Sequence, residues 1–354
     1  MKQYNINNLT EHAVDLLKRL IKAPSYSGKE EMAAKLIKND LESNGVRFLE
    51  KGNNTWTYVA KSDKPKILLN SHIDTVFPCS GWQQSPFAAV EEDGKIIGLG
   101  ANDAGGALVS LLMAYYTLKD MDLDFDLIFS ATAEEEITGA MGIESILPLL
   151  GNVDLAIVGE PTSMKLATGE KGLMVFDIKS EGEVCHAAHF QGQNAIDHAI
   201  ADIQKLKQIN FGDQHAKMGA TKLSVTQILA GKQHNVTPEE CCMVVDVRTN
   251  ELISNKKILK IVQKELESKV TARSTRLNAS FIDKKHPIVQ IANDLEIECF
   301  ISNTISDQAV IPFPSVKIGP GDSLRSHTAD EFIYIDEIKH GIETYIKILS
   351  KLKL

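Results

Sequence analysis

The segment NSHIDTV, residues 70–76, follows the apolar run Ile67-Leu68-Leu69 and places His72 and Asp74 two positions apart. In extended backbone, positions i and i+2 share a face. Asp74 can therefore accept a hydrogen bond from one imidazole nitrogen while the other faces a cation. A histidine satisfied inside the core is the plainer alternative for this motif alone. A second element, GLGANDAGG (98–106), sets Asp103 before a small-residue turn that opens an apolar helix. A dinucleotide-binding G-x-G-x-x-G counted from Gly98 needs its third glycine where Asp103 stands, and a carboxylate there repels pyrophosphate. Helix capping is the competing role for Asp103.

The third element is AEEEITGAMG (133–142), in which Glu134, Glu135 and Glu136 follow an apolar strand directly. At such a strand end, desolvation and mutual repulsion raise carboxylate pKa values unless cations lie nearby; a solvated acidic face is the alternative. VGEPTS presents Glu160 after another apolar strand, and GPGDSLRSHTADE presents His327 in a glycine-rich loop. Together His72, Asp103, Glu136, Glu160 and His327 make two imidazoles and three carboxylates. That donor set suits a pair of zinc-like ions about 3.5–4 Å apart that share one carboxylate. One glutamate remains for acid–base work.

The elements that must position these side chains are legible as patterns. Leu9, Ala13, Leu16, Leu17 and Leu20 recur at helical spacing over 9–22, and Met32, Ala33, Leu36 and Leu41 do so over 30–44. KILLNSHI (66–73), DLIFSATA (126–133) and VDLAIVGE (153–160) are apolar runs with abrupt polar ends, the signature of strands covered on both faces by helices. The expected fold class is α/β, and in such sheets ligands gather beyond the C-terminal ends of the strands. From about Ala167 the pattern changes. Strands at 173–180, 222–230, 241–248 and 275–281, with helices at 192–208 and 254–269, predict an inserted βαββαβ sandwich. The α/β character resumes from Pro287 and ends in a helix at 336–352.

Composition excludes several function classes. A net charge of −9 without a basic stripe works against nucleic-acid binding. No segment approaches the ~20 apolar residues of a membrane span, and the N-terminus lacks an apolar signal-type stretch, so a cytoplasmic protein is expected. Cys79, Cys185, Cys241, Cys242 and Cys299 follow no zinc-ribbon or thioredoxin spacing and are expected as free thiols. A chain of 354 residues predicts two domains at ~100–200 residues each.

In this order SHIDTV, GLGANDAGG, AEEEITGAMG, VGEPTS, EGEVCHAA, NVTPEE with DVR, and GPGDSLRSHTADE make the chain resemble the M20 family of dinuclear zinc amidohydrolases and peptidases, in its acetylornithine deacetylase and succinyl-diaminopimelate desuccinylase group. The resemblance implies a zinc-peptidase-like catalytic domain with a mostly parallel central sheet, formed by 1–166 and 283–354. It also implies a ferredoxin-like lid or dimerisation domain at 167–282. By the same resemblance Asp103 bridges two divalent ions, zinc first, with cobalt or manganese as alternatives. His72 and Glu160 complete one position, and Glu136 and His327 the other. Glu135 is the implied general base, Asp74 orients His72, and His186 stabilises the oxyanion, commonly across a homodimer. Arg248 and Asn235 match positions that hold substrate.

The implied activity is hydrolysis of an N-acyl amino acid, N-acetylornithine first. N-acetylcitrulline, N-succinyl amino acids, succinyl-diaminopimelate and short peptides are alternatives. A catalytically silent binding protein with the same fold is the non-enzyme reading. Two departures stand out: Ala104 occupies the turn position where the family usually carries lysine, and Glu134 replaces an aspartate with a longer side chain able to compete for a metal.

Overall fold

The computed structural model describes residues 4–60, 62–189 and 192–354. They divide into two compact units: one of residues up to Gly169 with Phe281–Phe300 and Ser306–Leu354, the other of Glu170–Ser280 with Ile301–Ile305.

The first unit is built on a sheet whose spatial order is Phe48–Lys51, Asn54–Thr57, Asp126–Thr132, Lys66–His72, Leu155–Val158, Ser315–Lys317, Leu166–Glu170 and Ser280–Phe281, with Cys299–Ser302 pairing to Leu166–Glu170. Its centre is parallel: Lys66–His72 pairs in parallel with Asp126–Thr132 and with Leu155–Val158, and the latter in parallel with Ser315–Lys317. Alternate side chains of these strands enter different cores. Ile67, Leu69, Leu127, Phe129, Leu155 and Ile157 join the core beneath the helices Ile6–Ile21, Gly106–Leu118 and Ile335–Lys351. Leu68, Ile128, Ala156 and Val158 join a smaller core with the helix Ile143–Leu150 on the opposite face. Burial on both faces is why these strands read as unbroken apolar runs rather than as alternation.

Helix Gly106–Leu118 is apolar around nearly its whole circumference because sheet and helices enclose it. It starts directly after Asp103–Gly105, so the carboxylate is delivered at its buried end. A second, three-stranded antiparallel sheet orders Phe332–Tyr334, Lys95–Ile97 and Val90–Glu92, and its middle strand leads into the Asp103 turn.

The second unit has the chain order strand, helix, strand, strand, helix, strand over Gly172–Glu181, Ala195–Gln208, Lys222–Ala230, Glu240–Thr249, Asn255–Glu265 and Lys269–Ala272. Its four strands pair antiparallel, with Glu240–Thr249 and Gly172–Glu181 in the middle. Met174, Phe176 and Ile178 alternate into a core closed by Ala195, Ala199, Ile258 and Val262 from the two helices. The last strand departs from expectation. It occupies 269–272 rather than 275–281, and the second helix ends at Glu265, four residues early. Val270, with Ala272 packed beside it, closes the core, whereas Ser280–Phe281 pairs into the large sheet.

None of the five cysteines forms a disulfide among the described residues. Among the described residues, no helix is long and apolar enough to cross a membrane.

A buried ionic knot fastens the first three helices. Asp40, 3 % exposed, accepts from His12 Nε2 at 2.8 Å and from the Tyr116 hydroxyl at 2.8 Å. The hydrogen bond to Asp40 raises the His12 pKa above its ordinary 6.5 against the opposing effect of burial. Burial pushes Asp40 up, yet its bonds to His12 and Tyr116 hold it below its ordinary 3.8. A raised histidine contributes stability that is complete below its unfolded pKa and lost as pH rises through the folded value. A depressed carboxylate contributes above its unfolded pKa and loses this as pH falls. The unfolding free energy of wild type minus that of His12→Asn is therefore expected to be larger at about pH 5.5 than at about pH 9 in urea titrations. An equal difference at both pH values contradicts the pairing.

Candidate metal centre

His72 is the last residue of its strand and is 1 % exposed. Its Nδ1 lies 2.9 Å from the backbone carbonyl of Asp74. A carbonyl only accepts, so Nδ1 carries a proton and Nε2 is the nitrogen available to a cation. Nε2 stands 3.3 Å from Asp103 Oδ1 and 3.8 Å from Glu160 Oε1. On the other side of Asp103, its Oδ2 is 3.6 Å from His327 Nε2, which is 2.9 Å from Glu136 Oε2. Two groups result, His72 with Asp103 and Glu160, and Asp103 with Glu136 and His327. Within each, one donor atom per residue lies within 4.8 Å of the others. Asp103 belongs to both.

The donor chemistry fits divalent cations. Three carboxylates and two imidazole nitrogens converge, and Glu160 Oε1 is buried without a hydrogen-bond partner among the described residues. A buried carboxylate oxygen left in that state is costly unless a cation faces it. Desolvation, partly offset by His72 and reinforced by Asp103, pushes the Glu160 pKa up to about 8. Burial and the charge of Glu160 drive Glu135 well above the usual carboxylate range. For His72, burial favours the neutral ring, but Asp103 and Asp74 outweigh it and hold the pKa well above 6.5. Asp103 is pulled below its ordinary 3.8 by His72 and His327 despite its burial. The bond to Glu136 lifts His327 to about 9. An imidazolium is one way to balance so much negative charge, and a divalent ion is a stronger one.

Backbone geometry brings the donors in. The turn Ala101–Gly105 departs from helical dihedrals at Asp103 and Ala104, and the Asp103–Ala104 peptide is cis. Glu134 and His327 both adopt left-handed backbone, at φ 59° and 61°, a conformation that L-residues tolerate mainly where surrounding contacts impose it. Gly321, at φ +89°, has no such freedom to change: a Cβ there meets Asn102 Oδ1 at 2.4 Å. That approach lets Asn102 donate to the Asp322 carbonyl at 3.0 Å and accept its N–H at 3.0 Å, which secures the loop bearing His327.

Several expectations change in detail. The Asp74 carboxylate is 3.5 Å from His72 Nδ1, farther than the Asp74 backbone carbonyl that receives that nitrogen. Its oxygens instead accept the backbone N–H groups of Glu135 at 3.0 Å and Glu136 at 3.1 Å, and the Ser27 hydroxyl at 2.7 Å. Glu134 turns back on its own loop, where its carboxylate accepts the Met141 N–H at 3.1 Å and Gly139 N–H meets its carbonyl at 2.8 Å. It takes no place in either donor group.

In the second unit, Ala187 N–H donates to the Asn235 carbonyl at 2.9 Å, so His186 and Asn235 stand on adjoining segments. Arg248 forms a two-point bond with Asp246, at 3.0 and 3.2 Å, which leaves the opposite edge of its guanidinium to other acceptors.

Residues that spacing did not single out include Ser27, Asn102, Asp307 and Glu331. Asn70 donates to Asp307 at 2.7 Å and Thr132 does so at 3.1 Å, just behind the strand ends. Burial, tempered by His72 and Asn70, raises Asp307 to about 6. Asn102 and Glu331 lie inside motifs already noted, next to Asp103 and four residues after His327.

The sequence pattern of peptidase family M20/M25/M40 matches residues 68–351. Among curated relatives, the chain is 24% identical to a succinyl-diaminopimelate desuccinylase of Buchnera aphidicola, over 97% of this chain and 99% of the relative. It is 28% identical to a LysW-lysine/LysW-ornithine hydrolase of Saccharolobus solfataricus, over 81% of each. Among solved structures, a Bacillus subtilis dinuclear metal binding peptidase of the M20 family superposes with TM-score 0.72 at 16% identity, over 98% of this chain and 100% of the other.

Replacing Asp74 by Asn puts an amide N–H₂ against backbone donors that now face a carboxylate oxygen. An unmet buried donor costs about 1–3 kcal/mol. Urea unfolding in the presence of chelator is expected to show a loss of that size for Asp74→Asn; an unshifted midpoint contradicts the assigned contacts.

Proposed function

The chain belongs to peptidase family M20/M25/M40, and on that premise we propose that it is a metal-dependent hydrolase cleaving the amide bond of a small N-acylated amino acid or short peptide. The observation that carries this reading is the pair of donor groups joined at Asp103. His72 and Glu160 would hold one cation, Glu136 and His327 the other, and Asp103 would serve both. Zinc is the first choice for a set of imidazoles and carboxylates, with cobalt or manganese as alternatives. Bound divalent ions supply Lewis-acid polarisation of the scissile carbonyl and acidify water.

The chain's own groups do the rest. Glu135 takes the proton from the attacking water and returns it to the leaving nitrogen, a general acid–base role that a carboxylate next to the donor groups can fill. Asp74 holds the Glu135 and Glu136 amides, which keeps base and ligand in fixed relation. His186 supplies a donor to the developing oxyanion. Arg248, already oriented by Asp246, takes a substrate carboxylate through its free edge, and Asn235 takes a neighbouring polar group.

N-acetylornithine is the substrate placed first. The functions named for the desuccinylase and LysW-ornithine hydrolase relatives support an amide carried on a basic or dibasic amino acid. The proposal includes a homodimer. Strand Lys222–Ala230 lies at a sheet edge and exposes Ile228 and Leu229, the latter 72 % accessible, a surface suited to pairing with a second copy. His186 then acts in the partner's site.

Two experiments test this reading. Zinc-loaded Glu135→Gln is expected to keep two ions per chain by elemental analysis while losing about 10²–10⁴-fold in kcat against a panel of acetylornithine, acetylcitrulline, their succinyl analogues, succinyl-diaminopimelate and short peptides. Undiminished turnover removes Glu135 from its role, and a wild type that binds these compounds without cleaving any leaves the silent binding protein. For the shared site, mixing His186→Ala with Glu135→Gln chains is expected to restore part of the activity as hybrid dimers form. No restoration despite verified subunit exchange rules out action in trans.

A further inference from the structure

Glu331 is 2 % exposed, and its carboxylate receives three backbone N–H bonds: from Gly100 at 3.0 Å, Asn102 at 2.8 Å and Asp103 at 2.9 Å. Its own carbonyl accepts the Gly98 N–H at 2.9 Å. All four bonds land on the segment that delivers Asp103, and Asp103 is the one side chain common to both donor groups. A carboxylate is expensive to bury, and three amide donors offset part of that cost. The three-stranded sheet fixes the alignment. Glu331 immediately precedes Phe332–Tyr334, which pairs with Lys95–Ile97, and that strand runs into Gly98. His327 lies four residues upstream of Glu331, so one short segment carries both a donor of the second group and the clamp on the shared aspartate.

We propose that Glu331 is a positioning residue that sets the Asp103 carboxylate between the two cation positions and so controls metal affinity at both together. The inference rests on the two-cation reading above and names a residue outside the ligand set. Its counterpart is Asp74, which grips the backbone of Glu135 and Glu136 in the same manner. One buried carboxylate thus fixes the shared ligand while the other fixes the base and its neighbouring ligand.

The test is zinc affinity, read by competition with a chromophoric chelator, for wild type, Glu331→Gln, Glu331→Asp and Glu160→Gln. Glu331→Gln keeps the shape but turns an amide N–H₂ toward a backbone donor, and Glu331→Asp keeps the carboxyl group but withdraws it by one carbon. Both are expected to weaken the two positions in parallel, about 10–100-fold, with circular dichroism unchanged. Glu160→Gln, which belongs to one group only, is expected to weaken one position. A lowered unfolding midpoint in chelator with both zinc affinities intact makes Glu331 a purely structural residue and overturns the proposal, as does weakening of a single position. If Glu331→Gln does not fold, Glu331→Asp decides; failure of both to fold also overturns it. Wild type that takes up no zinc removes the two-cation reading itself, a result distinct from all of these.

Discussion

Negative charge held away from water is the constraint around which the first unit is organised. Asp103, Glu135, Glu136 and Glu160 converge at the ends of buried strands and at the start of a buried helix, where burial raises the pKa values of Glu135 and Glu160 and the charge of Glu160 adds to the rise at Glu135. Such a cluster persists in a folded chain only if cations or many hydrogen-bond donors meet it. His72 and His327 meet part of the charge, and the orphaned oxygen of Glu160 marks where side-chain partners run out. The arrangement is poised for divalent ions because the protein alone leaves it under-compensated.

A second pair of carboxylates does different work in the same place. Asp74 and Glu331 accept backbone N–H groups, five between the two side chains, and so convert the ends of flexible loops into fixed supports. Metal sites need their donors held closely, and loops are poor at this unless something rigid grips the main chain. Here the rigid partners are a central strand end at Asp74 and the edge of the three-stranded sheet at Glu331. The chain separations are large, 61 residues from Asp74 to Glu135 and 228 from Asp103 to Glu331. Strain at Glu134 and His327, both in left-handed backbone, is sustained by these same contacts and by the approach of Asn102 to Gly321.

The second unit obeys simpler rules. Its two central strands alternate apolar and polar positions because one face meets helices and the other does not, so period-two reading recovers them almost residue for residue. The outer strand Lys222–Ala230 buries little and leaves an apolar edge. Strand Lys269–Ala272 is only four residues long, too short for periodicity to register, which is why the pattern pointed to the longer stretch beyond it.

Local pattern alone determined the α/β class and the inserted βαββαβ order, because burial on two faces, burial on one face and helical stripes each leave a distinct period in the sequence, whereas the segments of His186, Asn235 and Arg248 stood out only through the family resemblance. Local pattern also put His72, Asp103, Glu136, Glu160 and His327 at strand ends and turns, and the fold gathers them into two donor groups. Tertiary structure alone decided which oxygen meets which donor. Three consecutive glutamates look equivalent in the sequence, yet Glu134 folds back to the Met141 amide, Glu136 reaches His327, and Glu135 is left beside Glu160. In the same way the Asp74 carboxylate, 3.5 Å from the imidazole two residues before it, takes its short bonds from amides far along the chain, and Glu331 finds the Asp103 turn. The reason is geometric: periodicity reports how a residue faces its own strand or helix, whereas a hydrogen bond spans about 3 Å and is set by loops that only the assembled fold brings within that reach.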